Sequence, residues 1–172
     1  MKLNGAWKIR IPGRNPIVAA KRGNGRGSVR KIQEKIPPAG PPRNVSWVTS
    51  AKGQYYNFLN LEVEDLDLSG ASGVFVIWLG GRWPEWLFIG RSNNLAKSLR
   101  EHQSSRDILA YAKESPLFAT WAEIRPEFQD GVVQYLNQVI PPTIANPHPP
   151  EEDEPPIAVF PPGVAAPPEE PQ

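Results

Sequence analysis

Apolar residues concentrate between positions 54 and 146, and their spacing there alternates between continuous and helical. Val74, Phe75, Val76, Ile77, Trp78 and Leu79 follow Gly73 without interruption, the pattern of a central strand buried on both faces. Gly80-Gly81 turns the chain, and Trp86 to Ile89 brings it back as a second strand. The loop of this hairpin carries Arg82, Trp83 and Pro84. Asn93-Asn94 caps a predicted helix that runs to about Ser104, with Leu95 and Leu99 facing inward. A second helix opens at Ser105 or Arg106, passes through Ile108, Leu109 and Ala112, and stops at Ser115-Pro116. Leu117 to Ile124 is the third strand. Pro126 to Val139 is a helix expected to bury Phe128, Val132, Leu136 and Val139, and Pro141-Pro142 ends it. Upstream, Leu61-Glu62-Val63-Glu64 alternates as a strand or strand lead-in would. The order ββ-α-α-β-α predicts an α+β domain, a small antiparallel sheet flanked by helices.

The flanks read differently. Residues 1–53 are punctuated by glycine and proline, which break any long helix or central strand. Trp7, Ile9 and Ile11 alternate with Lys8 and Arg10, suiting a short strand added to a partner's sheet. Val29, Ile32 and Ile36 fall at helical spacing. Neither piece buries enough surface to offset its ordering entropy, roughly 1–2 kcal/mol per residue. The segment therefore reads as an extended arm, ordered by what it touches. Residues 147–172 hold ten prolines and six acids, and predict a solvated polyproline II tail. Its one apolar cluster, Ile157 to Phe160, is expected to be an anchor on a neighbour or, more simply, inert.

Charge sharpens this division. The 172-residue chain is nearly neutral in total, yet residues 1–52 carry twelve Lys/Arg against Glu34 alone, a local net of +11. Lys8, Arg10, Arg14, Lys21 and Arg22 occupy its first half, and Arg26, Arg30, Lys31 and Lys35 its second. Such an arm suits phosphates, DNA or RNA, with affinity set by counterion release and little base reading. It equally suits an acidic protein surface, and Trp7, Ile9 and Ile11 favour protein contact. Cysteine is absent, which excludes disulfides and thiolate metal sites. No apolar run reaches the roughly 18 residues of a membrane span, and none has signal-peptide length. The expected setting is intracellular, soluble or assembly-bound.

Five short motifs in order carry a resemblance. Gly73-Val74-Phe75 lies on the first strand and Phe88-Ile89-Gly90 on the second. Asn94-Leu95 with Leu99-Arg100-Glu101-His102 follows, then Asp130-Gly131-Val132 with Tyr135-Leu136, then Pro142 with Asn146. This arrangement resembles the GIY-YIG endonuclease domain over residues 54–146. The resemblance implies a site in which two tyrosines activate water, an arginine steadies the phosphate and a glutamate holds one divalent metal. The matching positions here are Phe75 and Phe88, Ser98, and Val133 (or Gln134 one residue later). Both hydroxyls, the arginine and the carboxylate are replaced. Arg100 lies two residues past Ser98, about 200° round the helix, and Lys97 about 100° away. Glu127 and Asp130 precede Val133 by one or two turns.

The resemblance thus implies a catalytically degenerate core with no metal, no cofactor and no turnover. Phe75 and Phe88 serve as core rings in any small domain. His102, near a helix end, is expected to cap or to be exposed, and His148, between prolines, to face solvent. Trp83 and Trp86 beside Arg82 are candidates for an interface or a stacked base. The leading expectation is a non-catalytic subunit of a larger macromolecular assembly, its arms tethering it to other protein subunits. The alternatives are a sequence-nonspecific nucleic-acid-binding accessory protein and an Mg-dependent endonuclease with a relocated site.

Overall fold

The computed structural model describes residues 36–164. Trp7, Ile9, Ile11 and the basic positions from Lys8 to Lys35 lie outside the described residues. The chain is α+β. Strands β1 (Tyr56–Asn57), β2 (Gly73–Leu79), β3 (Glu85–Ser92) and β4 (Leu117–Glu123) form one antiparallel sheet in the order β1-β4-β2-β3. Helices α1 (Leu95–Gln103) and α2 (Arg106–Tyr111) sit between β3 and β4, and α3 (Pro126–Val139) follows β4.

Every residue of β2 is buried, as an unbroken apolar run requires of an interior strand. Its side chains alternate between two cores. Phe75, Ile77 and Leu79 meet Leu95 and Leu99 of α1 and Ile108 of α2. Val74, Val76 and Trp78 meet Val132, Val133 and Leu136 of α3. Opposite Ile77 and Trp78 the register of β3 slips, so that Ile77 faces Phe88 while Trp78 faces Trp86. The extra residue is Leu87, and the bulge lets the neighbours Leu87 and Phe88 enter the same core. α1 begins where expected: the Asn94 side chain accepts from the Lys97 backbone N–H at 3.1 Å.

Two local expectations are corrected. Leu61 to Glu64 is not a strand; Val63–Leu66 forms a 3-10 turn. Gln103 Nε2 donates to the carbonyls of Phe58 (2.8 Å) and Leu61 (2.9 Å), so a helix side chain satisfies groups a strand partner would have taken. On α3, Phe128 and Val139 are exposed, and the buried positions are Gln129, Gly131, Val132, Val133 and Leu136. The helix is turned because Gln129 is satisfied inside, donating to Ser72 Oγ and to the Ile124 carbonyl at 2.7 Å each. Its glycine face is also covered, since a Cβ on Gly131 would lie 2.8 Å from the Pro155 carbonyl oxygen.

Packing continues past residues 54 and 146 in both directions. Arg43 pairs with Val159 in a parallel bridge, through Arg43 N–H to Ala158 O (2.8 Å) and Phe160 N–H to Arg43 O (3.1 Å). Trp47 Nε1 donates to Phe160 O at 2.7 Å, and Val48 N–H donates to Trp121 O at 2.9 Å. Ile157 N–H donates to Gly131 O, while Ala158 and Val159 are buried. The cluster Ile157 to Phe160, expected to be inert in a solvated tail, is an anchor on the chain's own α3 face. Residues 143–146 cover the open edge of β3: Thr143 and Ile144 N–H donate to Trp86 and Leu87 carbonyls, and Asn146 Nδ2 to Ile89 O at 3.2 Å. Among the described residues no helix is long and apolar enough to cross a membrane.

Candidate functional site

A cleft of about 340 Å³ opens where β2 and β3, α1 and the loop 146–148 converge. Gly90 makes it possible. It is the cross-strand partner of Phe75, and a Cβ there would come within 2.7 Å of Phe75 Cζ and 2.8 Å of Phe88 Cε1. With that space free, the Phe75 and Phe88 rings stack with centroids 5.8 Å apart, a favoured aromatic geometry. His102 joins them, 4.5 Å from the Phe88 ring and 5.1 Å from that of Phe75. It lies one turn after Ser98 on α1, and its Nδ1 sits 2.7 Å from the Ser98 carbonyl. A carbonyl only accepts, so Nδ1 carries the proton, and Nε2 of the neutral ring is the bare acceptor.

Hydroxyl and amide groups are held as tightly. Ser98 Oγ donates to Ser92 Oγ at 2.7 Å, and Ser92 Oγ also receives the Asn94 backbone N–H at 2.9 Å. Asn146 is fixed from both ends: Nδ2 donates to Ile89 O, and Oδ1 accepts from His148 N–H at 2.9 Å. The charged lining residues are paired. Arg91 is bound to Asp130 of α3, and Glu101 lies 3.9 Å from Lys97. Both pairs are partly or largely exposed and contribute little to stability.

Of the positions singled out in the sequence, Phe75, Phe88, Ser98 and Asn146 share this cleft. Val133 does not; it is fully buried in the other core, beyond the sheet. Gln134 reaches the Glu152 carbonyl at 3.4 Å. Arg100 is turned away and pairs with Glu64, as its angle on the helix demands. Glu127 is exposed in the first turn of α3. Among the described residues no group of three or more His, Asp or Glu is placed to hold a metal ion. Trp83 is 78% exposed with the Arg82 guanidinium 5.7 Å from its ring centre, whereas Trp86 packs against Trp78 at 5.7 Å. The two tryptophans are thus unlike: one is free at the hairpin tip and the other is partly core.

Sequence reasoning named both histidines but gave neither a place in the cleft: His148 is exposed as expected, whereas His102 is half-buried against the two phenyl rings. The spacing Ser98 to His102, four residues on one helix, was the signal for the first. Nothing local marked His148, whose place depends on its bond to Asn146.

No family model, no curated protein and no solved structure matches this chain. What the cleft can do therefore follows from its groups. It offers aromatic rings, two imidazoles, two asparagine amides and two serine hydroxyls, with Arg91 and Glu101 each beside a partner of opposite charge.

Proposed function

We propose that the chain is a non-catalytic binding subunit of a larger macromolecular assembly, built on a degenerate GIY-YIG-like core. One observation carries the non-catalytic part of this reading. The positions matched to the two tyrosines and the arginine (Phe75, Phe88 and Ser98) meet in one cleft, while the position matched to the metal-holding glutamate, Val133, is buried on the other side of the sheet. Metal-assisted phosphodiester hydrolysis needs a nucleophile activated near neutral pH and a carboxylate on the ion. Phenyl rings activate no water, and a valine binds no cation. The ring geometry suits binding without chemistry. The stretch 1–35, with ten Lys/Arg against Glu34, supplies charge for contact with other subunits.

The test is purification of the tagged full-length protein from its native cells at low salt, half of it treated with nuclease. A fixed set of co-purifying proteins that survives nuclease is the expected result. Partners that vanish with nuclease favour the second reading, a sequence-nonspecific nucleic-acid-binding accessory protein. That reading is supported by the twelve bases against one acid in residues 1–52. Mg²⁺-dependent nicking that Arg100→Ala or Glu127→Ala abolishes would overturn both.

A further inference from the structure

Both histidines of this chain, the only two it has, line the same cleft, together with an asparagine whose amide is locked in orientation. We infer that the cleft is a recognition pocket for a single nucleobase, presented as a free nucleoside or as an unstacked base of a single strand. The inference rests on the proposed reading only in that the cleft binds and does not cut.

Charge gives the first reason. A phosphate is best held by a free cation or a fan of N–H donors; Arg91, the one cation among the described lining residues, has Asp130 at its Nε, which weakens its pull on an anion. The one carboxylate in the lining, Glu101, has Lys97 beside it. The occupant that suits such a pocket is neutral. Shape gives the second. His102, half-buried against the Phe75 and Phe88 rings, presents one partly open ring on which a flat heterocycle can stack.

Hydrogen-bond geometry gives the third reason. Asn146 spends one amide hydrogen on Ile89 O and one lone pair on His148 N–H, and keeps one of each. A donor beside an acceptor is the pattern that pairs with the edge of a nucleobase. His102, its Nδ1–H donated to the Ser98 carbonyl, offers Nε2 as an acceptor in the neutral form of the ring. That acceptor suits a ring N–H or exocyclic amine.

Having two histidines makes the test selective. The imidazole carbon-bound protons of the full-length protein are followed by NMR during titration with the four ribonucleosides, a ten-residue single strand and an abasic strand of equal length. The expected result is movement of the ring signals with base-bearing ligands and none with the abasic strand. Shifts with nucleosides identify the free base as sufficient; shifts with the strand alone identify a base held in a chain. Asn146→Ala is expected to weaken binding about tenfold, the size of one bidentate base contact. His102→Phe keeps a ring against Phe75 and Phe88, removes the acceptor and is expected to weaken binding similarly, so the test survives if one variant fails to fold. Equal shifts with base-bearing and abasic strands, or none with any ligand, would overturn the inference. Silent rings without strand cleavage remove this inference alone, whereas a nicked strand in Mg²⁺ removes the non-catalytic reading.

Discussion

On one face of the sheet, Phe75, Ile77 and Leu79 meet helices that follow in the chain within some thirty residues; on the other, Val74, Val76 and Trp78 meet α3 and two segments from opposite ends of the described chain. The first face closes mainly on nearby chain, the 58–68 segment and the two helices, with Val48 and Ile144 at its edge, and leaves a polar cleft at its margin where residues 146–148 return. The second closes by long-range contacts, with Val45 and Trp47 on one side and Ile157 and Val159 on the other. The first arrangement can carry a binding site because its helices already bury what must be buried. The second spends its flanking segments on covering apolar surface.

The strongest way to break this comparison is to move a charge across it. Val133→Glu places a carboxylate where the GIY-YIG resemblance would put one, at a fully buried position on the α3 face. The expected outcome is a loss of about 3 kcal/mol or more, from an unpaired buried carboxylate. It is read from the shift in urea midpoint, and no gain of Mg²⁺ binding is expected by calorimetry. A variant of unchanged stability that binds Mg²⁺ would place Val133 at the cleft and end the distinction between the faces.

Gly90→Ala tests the cleft side. The added methyl meets Phe75 and Phe88 at 2.7 and 2.8 Å, below any ordinary contact, and both rings are confined. A loss of about 2 kcal/mol is expected from overpacking, with displaced His102 ring signals as the local sign. Val159→Ala tests the opposite face. Removing two buried methyl-sized groups predicts a loss of about 1.5 kcal/mol. It also predicts faster amide exchange at Arg43, whose N–H is bonded to Ala158 O, with little change at Leu99 on the first face. Equal acceleration on both faces would show that they open as one unit.

The two faces were not equally legible. β2 could be read because six consecutive apolar residues admit few other placements, and α3 because prolines mark both its ends. Phe75, Phe88, Ser98 and Asn146 were found by their order along the chain and do meet in one cleft. The rotation of α3 escaped because Gln129 occupies a buried place that hydrophobicity assigns to Phe128. The docking of residues 43–48 and 155–160 escaped for a deeper reason. Proline-rich segments show neither helical nor alternating period, and Arg43 finds its partner 116 residues away at Val159. Pairing of that kind leaves no local trace.

The smallest effect concerns how the second face is pinned at its far end. Tyr55 packs edge-on against Trp78 at 4.9 Å, and its pKa is raised above the ordinary tyrosine value of 10.0 by burial, a rise that a hydrogen bond with the Gly163 backbone partly opposes. A raised pKa means that the folded state holds the phenol proton more tightly than the unfolded chain. The resulting stabilisation is fully present below the unfolded value and is lost as pH rises through the folded one. Stability should therefore decline above about pH 10, where the unfolded chain begins to release this proton first. Other groups titrate in that range as well, so the informative quantity is the difference between wild type and Tyr55→Phe, measured by urea unfolding at stepwise pH. That difference is expected to be constant up to about pH 9 and to shrink above it, because phenylalanine has no proton to lose. Parallel curves would mean that the Tyr55 hydroxyl is as well solvated folded as unfolded, and that the chain near Gly163 does not close over the α3 face.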